Sequence, residues 1–290
     1  MSVKARPAPP GLPAFLLPAL VLYGGLVLLP VAQSVVFSFL SFGARSVTFA
    51  GTANYAELLA DPVFYRAFAH NLVLALASVV IQIPLALAFA LALQSSSPLS
   101  RALRSLVFSP MILPSAVVAI LFTLLYNPFE GPLNAFLESA AGVSPLWLAD
   151  ESLVLPSLIA AISWRYIGFH MMLLLAALQA VDPSLHEAAA LDGAGPWLRF
   201  RHVTLPSIFP MLRLSVLLAV LGSLKYFDIV YIMTKGGPNH ASELLTTWLF
   251  KEGIEARRFG YASAVAAALM LASLAAGAAI RFSRRRRVSA

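Results

Sequence analysis

The chain has 290 residues, of which 60% are hydrophobic and only 11% charged, and its formal net charge is +7. A soluble domain usually carries about a quarter charged residues, so this composition excludes an ordinary soluble globule and points to a polytopic membrane protein. It contains no cysteine, which excludes disulfides, thiolate metal sites and cysteine nucleophiles.

Six apolar runs follow one another, over Leu12–Leu40, Asn71–Leu93, Leu106–Tyr126, Leu153–Leu178, Leu205–Met233 and Tyr261–Ile280. Each is long enough to cross about 30 Å of hydrocarbon as a helix. The first run follows Lys4 and Arg6, as a secretory signal would. Its length, the lack of a small-x-small cleavage site and the apolar remainder of the chain favour a retained span. Pro13, Pro18, Pro30, Pro84, Pro110 and Pro114 predict kinks, which membrane helices tolerate. The expected fold is all-α, with six transmembrane helices. Residues 1–11 are read as an N-terminal tail, 12–282 as the membrane domain and 283–290 as a basic tail.

Basic residues set the orientation. Lys4, Arg6, Arg101, Arg104, Arg199, Arg201, Arg281 and Arg284 to Arg287 fall on one side. The other side holds fewer, Arg45, Arg66, Lys235, Lys251, Arg257 and Arg258. The richer side is expected to be cytoplasmic, with both termini inside. The loop Asn127–Ser152 carries acids and no Lys or Arg, as expected outside. The run Arg284 to Arg287 reads as a positive-inside stop signal near anionic lipid.

The cytoplasmic loop over 181–204 stands out. Asp182 and Pro183 form a helix start, because the carboxylate can cap free amides and proline suits the first helical position. Ser184 to Leu191 has high helix propensity, and Gly193 or Gly195 can end the helix in a left-handed turn. Pro196 can open a second short helix, Trp197 to Val203, before Leu205 and Pro206 lead into the fifth span. One reading is an interfacial connector anchored by Trp197, Phe200, Arg199 and Arg201. The Glu187-Ala188-Ala189 run is better explained by docking: alanines admit a close backbone, and a carboxylate pairs with a partner's basic group.

Glu187-Ala188-Ala189, then Asp192-Gly193-Ala194, then Leu205-Pro206 resembles the EAA loop in permease subunits of bacterial ABC importers. Thr234-Lys235-Gly236-Gly237-Pro238, followed by Glu243 to Thr247, resembles the T-x-G-G-P loop of carbohydrate permeases. Together they resemble the maltose/glycerol-phosphate type, in particular the first of its two permeases. The resemblance implies a type I ABC importer permease with a cytoplasmic coupling helix, in the bacterial plasma (inner) membrane. It implies that Glu187, Ala188, Ala189, Asp192, Gly193, Leu205 and Pro206 form the joint with a cytoplasmic ATPase. ATP-driven closure of two ATPases would then swing the spans from inward-facing to outward-facing. Thr234, Gly236, Gly237 and Pro238 form the loop motif. The implied partners are a second related permease, two ATPase copies and an extracytoplasmic solute-binding protein, the last facing Ser41–Ala69, Asn127–Ser152 and Lys235–Phe259. The chain itself is expected to hold no cofactor, ATP and Mg being bound by the ATPase, and to catalyse nothing. Gly193-Ala194-Gly195 lacks the G-K-[ST] ending of a phosphate loop.

Polar groups inside spans are functional candidates. Ser223, Tyr226 and Phe227 share a face if the fifth span is one helix, and Lys225 could pair with Asp228. Trp164, Tyr166, Phe169 and His170 group aromatic and polar character in the fourth span. These residues are candidates for a sugar path, against the plainer readings of interfacial anchoring and bundle packing. Arg165 and Arg213 have plain readings, each either pairing with a neighbouring helix or marking a span boundary. The cargo expected is a sugar or oligosaccharide, with glycerol phosphate, a polyol or another small solute as the alternative. A secondary transporter would need coupling carboxylates, and Asp228 is the acid that lies inside a span. An intramembrane enzyme is disfavoured, since neither H-E-x-x-H nor G-x-S-x-G occurs.

Overall fold

The computed structural model describes residues 12–43 and 45–282. The tails read over 1–11 and 283–290, with the Arg284 to Arg287 run, lie outside the described residues. The elements in order are α1 (Leu16–Phe37, its helix beginning at Leu12), β1 (Leu40–Phe42), β2 (Val47–Phe49) and α2 (Ala53–Ala60). Next come α3 (Pro62–Ala92), α4 (Pro98–Ile112), α5 (Ser115–Leu125) and α6 (Pro132–Ala141). The chain continues with α7 (Val154–Gln179), α8 (Pro183–Leu191), α9 (Pro196–Ser223) and α10 (Asp228–Thr234). It ends with α11 (Leu245–Phe250) and α12 (Phe259–Phe282). Among the described residues, five helices are long and apolar enough to cross a membrane, and six spans result if the bent pair α4 and α5 is one.

Three proline sites share one device. Leu29-Pro30, Ile83-Pro84 and Leu205-Pro206 each follow a π turn, over Gly24–Leu28, Ser78–Gln82 and Phe200–Thr204. In each, the residue before proline donates its N–H five residues back, to Gly24, Ser78 or Phe200. A proline ring presses on the carbonyl four residues earlier and supplies no N–H. Widening the helix by one residue accommodates both defects without breaking it.

Pro114 behaves differently, and here the sequence reading of a single third span is corrected. Leu113 is extended, at φ −66° and ψ 139°, because the ring of Pro114 disfavours helix at the residue before it. The axes of α4 and α5 therefore meet at 99°. The second span also begins earlier than its apolar run, at Pro62, where the Asp61 carboxylate accepts the Val63 N–H at 2.8 Å.

The fifth span is corrected at both ends. No separate helix covers Trp197 to Val203; α9 runs unbroken from Pro196 through the π turn to Ser223. It then stops, and Phe227, at φ −135° and ψ −64°, leads into the short α10. Tyr226 and Phe227 therefore do not share a continuous helical face with Ser223. A small antiparallel hairpin, Leu40 opposite Phe49, was not anticipated.

Two compact units can be distinguished. Among the described residues, the first comprises 12–60 and 251–268. No residue of its α1 is buried. Asn54 Nδ2 donates to the Ser38 and Leu40 carbonyls at 2.8 and 2.9 Å, fixing the hairpin on α2. Arg258 pairs with Glu57 and, at 2.7 Å, with Glu252.

The second unit, 61–250 with 269–282 among the described residues, holds two apolar clusters. One gathers Leu74 of α3, Val118 and Phe122 of α5, Leu158 and Ile162 of α7, and Ile229 and Val230 of α10. The other gathers Ala86 and Ala90 of α3, Met171, Leu174 and Leu178 of α7, and Ile208 of α9. Lipid is as apolar as leucine, so such contacts rest on close packing rather than on water exclusion. Gly168 shows how close: a Cβ there would collide with the Val107 carbonyl of α4.

Candidate functional site

Three features carry the functional residues. The first is the loop helix α8. Asp182 caps it as read from sequence, its Oδ1 accepting the Ser184 N–H at 2.9 Å. That N–H, with the Ser184 side chain, holds the Asp182 carboxyl below the usual carboxylate range. The helix closes through Gly193, at φ +79°, with the Ala194 N–H reaching back to the Ala189 carbonyl at 2.9 Å. Glycine adopts that conformation without the steric cost of a Cβ. No residue of α8 is buried; Glu187 and Ala188 are exposed, Ala189 is half-buried, and Leu191 stands 90% exposed. Leu205 and Pro206 sit at the π turn of α9, so they shape the helix leaving this loop.

The second feature is the loop after α10. Thr234 Oγ1 donates to the Val230 carbonyl at 2.9 Å and accepts the Gly236 N–H at 3.2 Å. Gly236 has φ +79°, and a Cβ on it would collide with the Glu243 carboxylate. Gly237 donates its N–H to the Thr234 carbonyl at 2.9 Å, and the Gly237–Pro238 peptide is cis. Glu243, which sequence reading placed only as a motif flank, is fully buried. Its Oε1 accepts from Thr247 Oγ1 at 2.7 Å, and its Oε2 is 2.9 Å from His240 Nδ1. The His70 ring nitrogen Nδ1 donates to the Glu243 carbonyl at 2.9 Å.

The third feature is a belt of polar and aromatic residues between the two apolar clusters of the second unit. On α7 it spans Ser163 to His170, flanked by Ile162 and Met171 of the clusters. On α3 it is the π turn, where Gln82 Nε2 donates to Ser78 Oγ at 3.0 Å and Ser163 Oγ at 3.3 Å. From α9 it takes Ser215, whose hydroxyl lies 2.8 Å from His170 Nδ1. Tyr226 enters from the break after α9; its ring lies 5.3 Å from that of Tyr166, and its hydroxyl faces Ser78 and Gln82.

The predicted path residues are only partly brought together. Tyr166 and Tyr226 meet in the belt. His170 is buried beside Phe169, their rings 5.2 Å apart. Trp164 points elsewhere, packing edge-on against Phe122 of α5 at 5.5 Å, because two residues along a helix turn the side chain to the opposite face. Phe227 stacks on Tyr231 at 5.1 Å. Ser223 is buried, and its carbonyl accepts from Asn71 Nδ2 at 2.9 Å. The expected Lys225–Asp228 pair is not among the ion pairs of the described residues: Asp228 Oδ2 accepts from Ser115 Oγ at 2.6 Å, and Lys225 is exposed. Sequence reading missed Asn71 and Gln82 as members of these networks, and Arg165, read as pairing with a neighbouring helix, makes no ion pair or hydrogen bond among the described residues. Each was visible as a polar residue in an apolar run, but the face it occupies was not.

Long apolar helices, five or six of them able to cross a membrane, with an exposed loop helix between two of them, are the features of a polytopic membrane protein. The chain belongs to the family of binding-protein-dependent transport system inner membrane components, whose sequence profile matches residues 82–288. It is 37% identical over 268 residues to "Probable ABC transporter permease protein YurN" of Bacillus subtilis, covering 90% of this chain and 91% of that one. It is 32% identical to "Lactose transport system permease protein LacF" of Rhizobium radiobacter, covering 89% and 88%. A solved bacterial alginate ABC transporter, in complex with an alginate pentasaccharide-bound periplasmic protein, contains a chain of the same fold. That chain superposes with a TM-score of 0.84 at 22% identity, covering 96% of this chain and 95% of its own. This protein is thus a multi-pass permease subunit of an ABC importer.

Proposed function

We propose that this permease forms half of the path for a sugar or oligosaccharide and takes its driving force through α8 from a cytoplasmic ATPase. A second related permease completes the path, two ATPase copies drive it, and a solute-binding protein delivers the cargo on the opposite face. Both termini then lie on the cytoplasmic side, in keeping with the basic residues around α8. The chain itself performs no catalysis. The observation that carries the reading is α8: a capped, glycine-terminated helix with no buried residue, carrying Glu187 and its alanines. Such a helix packs only lightly within the chain, with His186 and Ala189 half-buried and the rest exposed. Its low alanine face and single carboxylate suit a groove with a basic group. The lactose permease LacF, 32% identical over most of both chains, supports a sugar as cargo.

Mechanically, α9 is suited to transmit the motion. It runs as one helix from the loop to Ser223, so a push at α8 reaches the belt through a continuous rod. The test is Glu187→Lys in the assembled importer. Loss of ATPase co-purification, or of substrate-stimulated ATP hydrolysis, with the permease still folded in membranes is expected. Survival of both would sink the coupling assignment.

A further inference from the structure

Arg165 is the twelfth residue of the 26-residue α7, at the middle of a span. A guanidinium at that depth is costly unless a counter-charge or hydrogen bonds meet it, and such a residue marks a function by default. None of the ion pairs or hydrogen bonds among the described residues involves Arg165, and its Nε is buried without a partner. Its guanidinium carbon lies 5.4 Å from the centre of the Tyr166 ring, which in turn packs on Tyr226. Asp228, the acid of the fifth-span region, is turned to Ser115.

A second polar group belongs to the same belt. Gln82 is 1% exposed; its Nε2 donates to Ser78 and Ser163, and the Tyr226 hydroxyl faces the same amide. Gln82 and Arg165 thus flank the Tyr166–Tyr226 pair, and of the two only Arg165 brings a charge that nothing among the described residues offsets. The planar fork of a guanidinium matches a carboxylate or sulfonate in two parallel hydrogen bonds, and a neutral sugar hydroxyl offers no charge to offset it. An aromatic face such as that of the half-buried Tyr166 suits the apolar side of a sugar ring.

We infer that this belt selects a saccharide bearing an acidic group, whose carboxylate or sulfonate pairs with Arg165 while the sugar ring lies against Tyr166. The inference rests on the belt lining the sugar path proposed above.

The test uses the full importer complex in detergent, without its solute-binding protein, and two disaccharide probes of one linkage: digalacturonate and its neutral counterpart digalactose. Calorimetric titration is expected to show digalacturonate binding at least about tenfold more tightly than digalactose, the scale of one charge-assisted contact. Arg165→Gln should abolish that difference by weakening digalacturonate alone, Arg165→Lys should keep part of it, and added salt should reduce it. Equal affinities in the wild type, or a difference that survives Arg165→Gln, would overturn the inference while leaving the sugar path intact. Binding of neither probe to a complex that still couples through α8 would overturn the sugar path and the inference together. Loss of the second permease from the Arg165→Gln complex would assign Arg165 to a subunit contact, and would overturn the inference as well.

Discussion

Asn71 and Ser223 are joined where α9 ends: Asn71 Nδ2 donates to the Ser223 main-chain oxygen at 2.9 Å. The last carbonyls of any helix lack partners within it, and a buried one needs a donor from elsewhere. The same side chain accepts the Leu245 N–H on Oδ1 at 3.0 Å. One fully buried amide thus ties α3, the end of α9 and the start of α11. Nearby, Thr246 Oγ1 donates to the Tyr226 carbonyl at 2.5 Å, so the break that places Tyr226 in the belt is held from two sides.

Asn71→Leu keeps approximate size and removes both bonds, stranding a buried carbonyl and a buried N–H. A loss of about 1–3 kcal/mol is expected, read as a lower thermal unfolding midpoint of the purified permease in detergent. An unchanged midpoint would show that the end of α9 is held by other means.

Gly193 and Gly236 share a backbone conformation, φ +79° in both, but not an environment. Nothing lies within 4 Å of a Cβ placed on Gly193, whereas a Cβ on Gly236 meets the buried Glu243 carboxylate. Gly193→Ala should cost only the strain of a left-handed residue, about 1 kcal/mol. Gly236→Ala adds displacement of a carboxylate held by Thr247 and His240, and should lower folded yield and midpoint clearly further. Equal effects would mean that the two turns are limited by φ alone.

Gly168 makes a separate point about close packing. Its missing Cβ leaves room for the α4 backbone at Val107 and Phe108, and backbone cannot move aside as a flexible side chain can. Gly168→Ala should therefore destabilise by about 1–3 kcal/mol. Gly277→Ala, in open space on α12, should be close to neutral. The pair separates a packing effect from a general intolerance of alanine in membrane helices.

The spans and the α8 loop were legible because each depends on local chemistry. Apolar length, Asp182-Pro183 as a helix start and Gly193 as its end act within a few residues of chain. What was not legible depends on partners far along the sequence. Pro114 breaks its helix while Pro30, Pro84 and Pro206 only widen theirs, a choice local propensity does not make. The break after Ser223 exists in a run that reads as continuous helix, and its stabilisers, Asn71 and Thr246, lie well away in sequence. Gln82 and Arg165 were visible as polar residues among apolar ones, but their meeting around Tyr166 and Tyr226 is a property of packing.

Asp182 gives the loop a predictable response to acid. The Ser184 N–H and side chain hold its carboxyl below the usual range, so the folded helix binds its proton less readily than the unfolded chain does. By linkage, the cap contributes fully above the ordinary aspartate value of about 3.9, and its contribution is lost as pH falls through the lowered folded value. Hydrogen exchange of the amides over 183–191, followed from about pH 6 to about pH 3 and corrected for intrinsic rates, should show protection falling at the low end. Asp182→Asn retains an oxygen that can cap but does not titrate, so its protection should be flat over that window. Asp182→Ala should lose protection at every pH. A wild-type profile as flat as that of Asp182→Asn would mean that α8 is held by its Gly193 end and not by its cap.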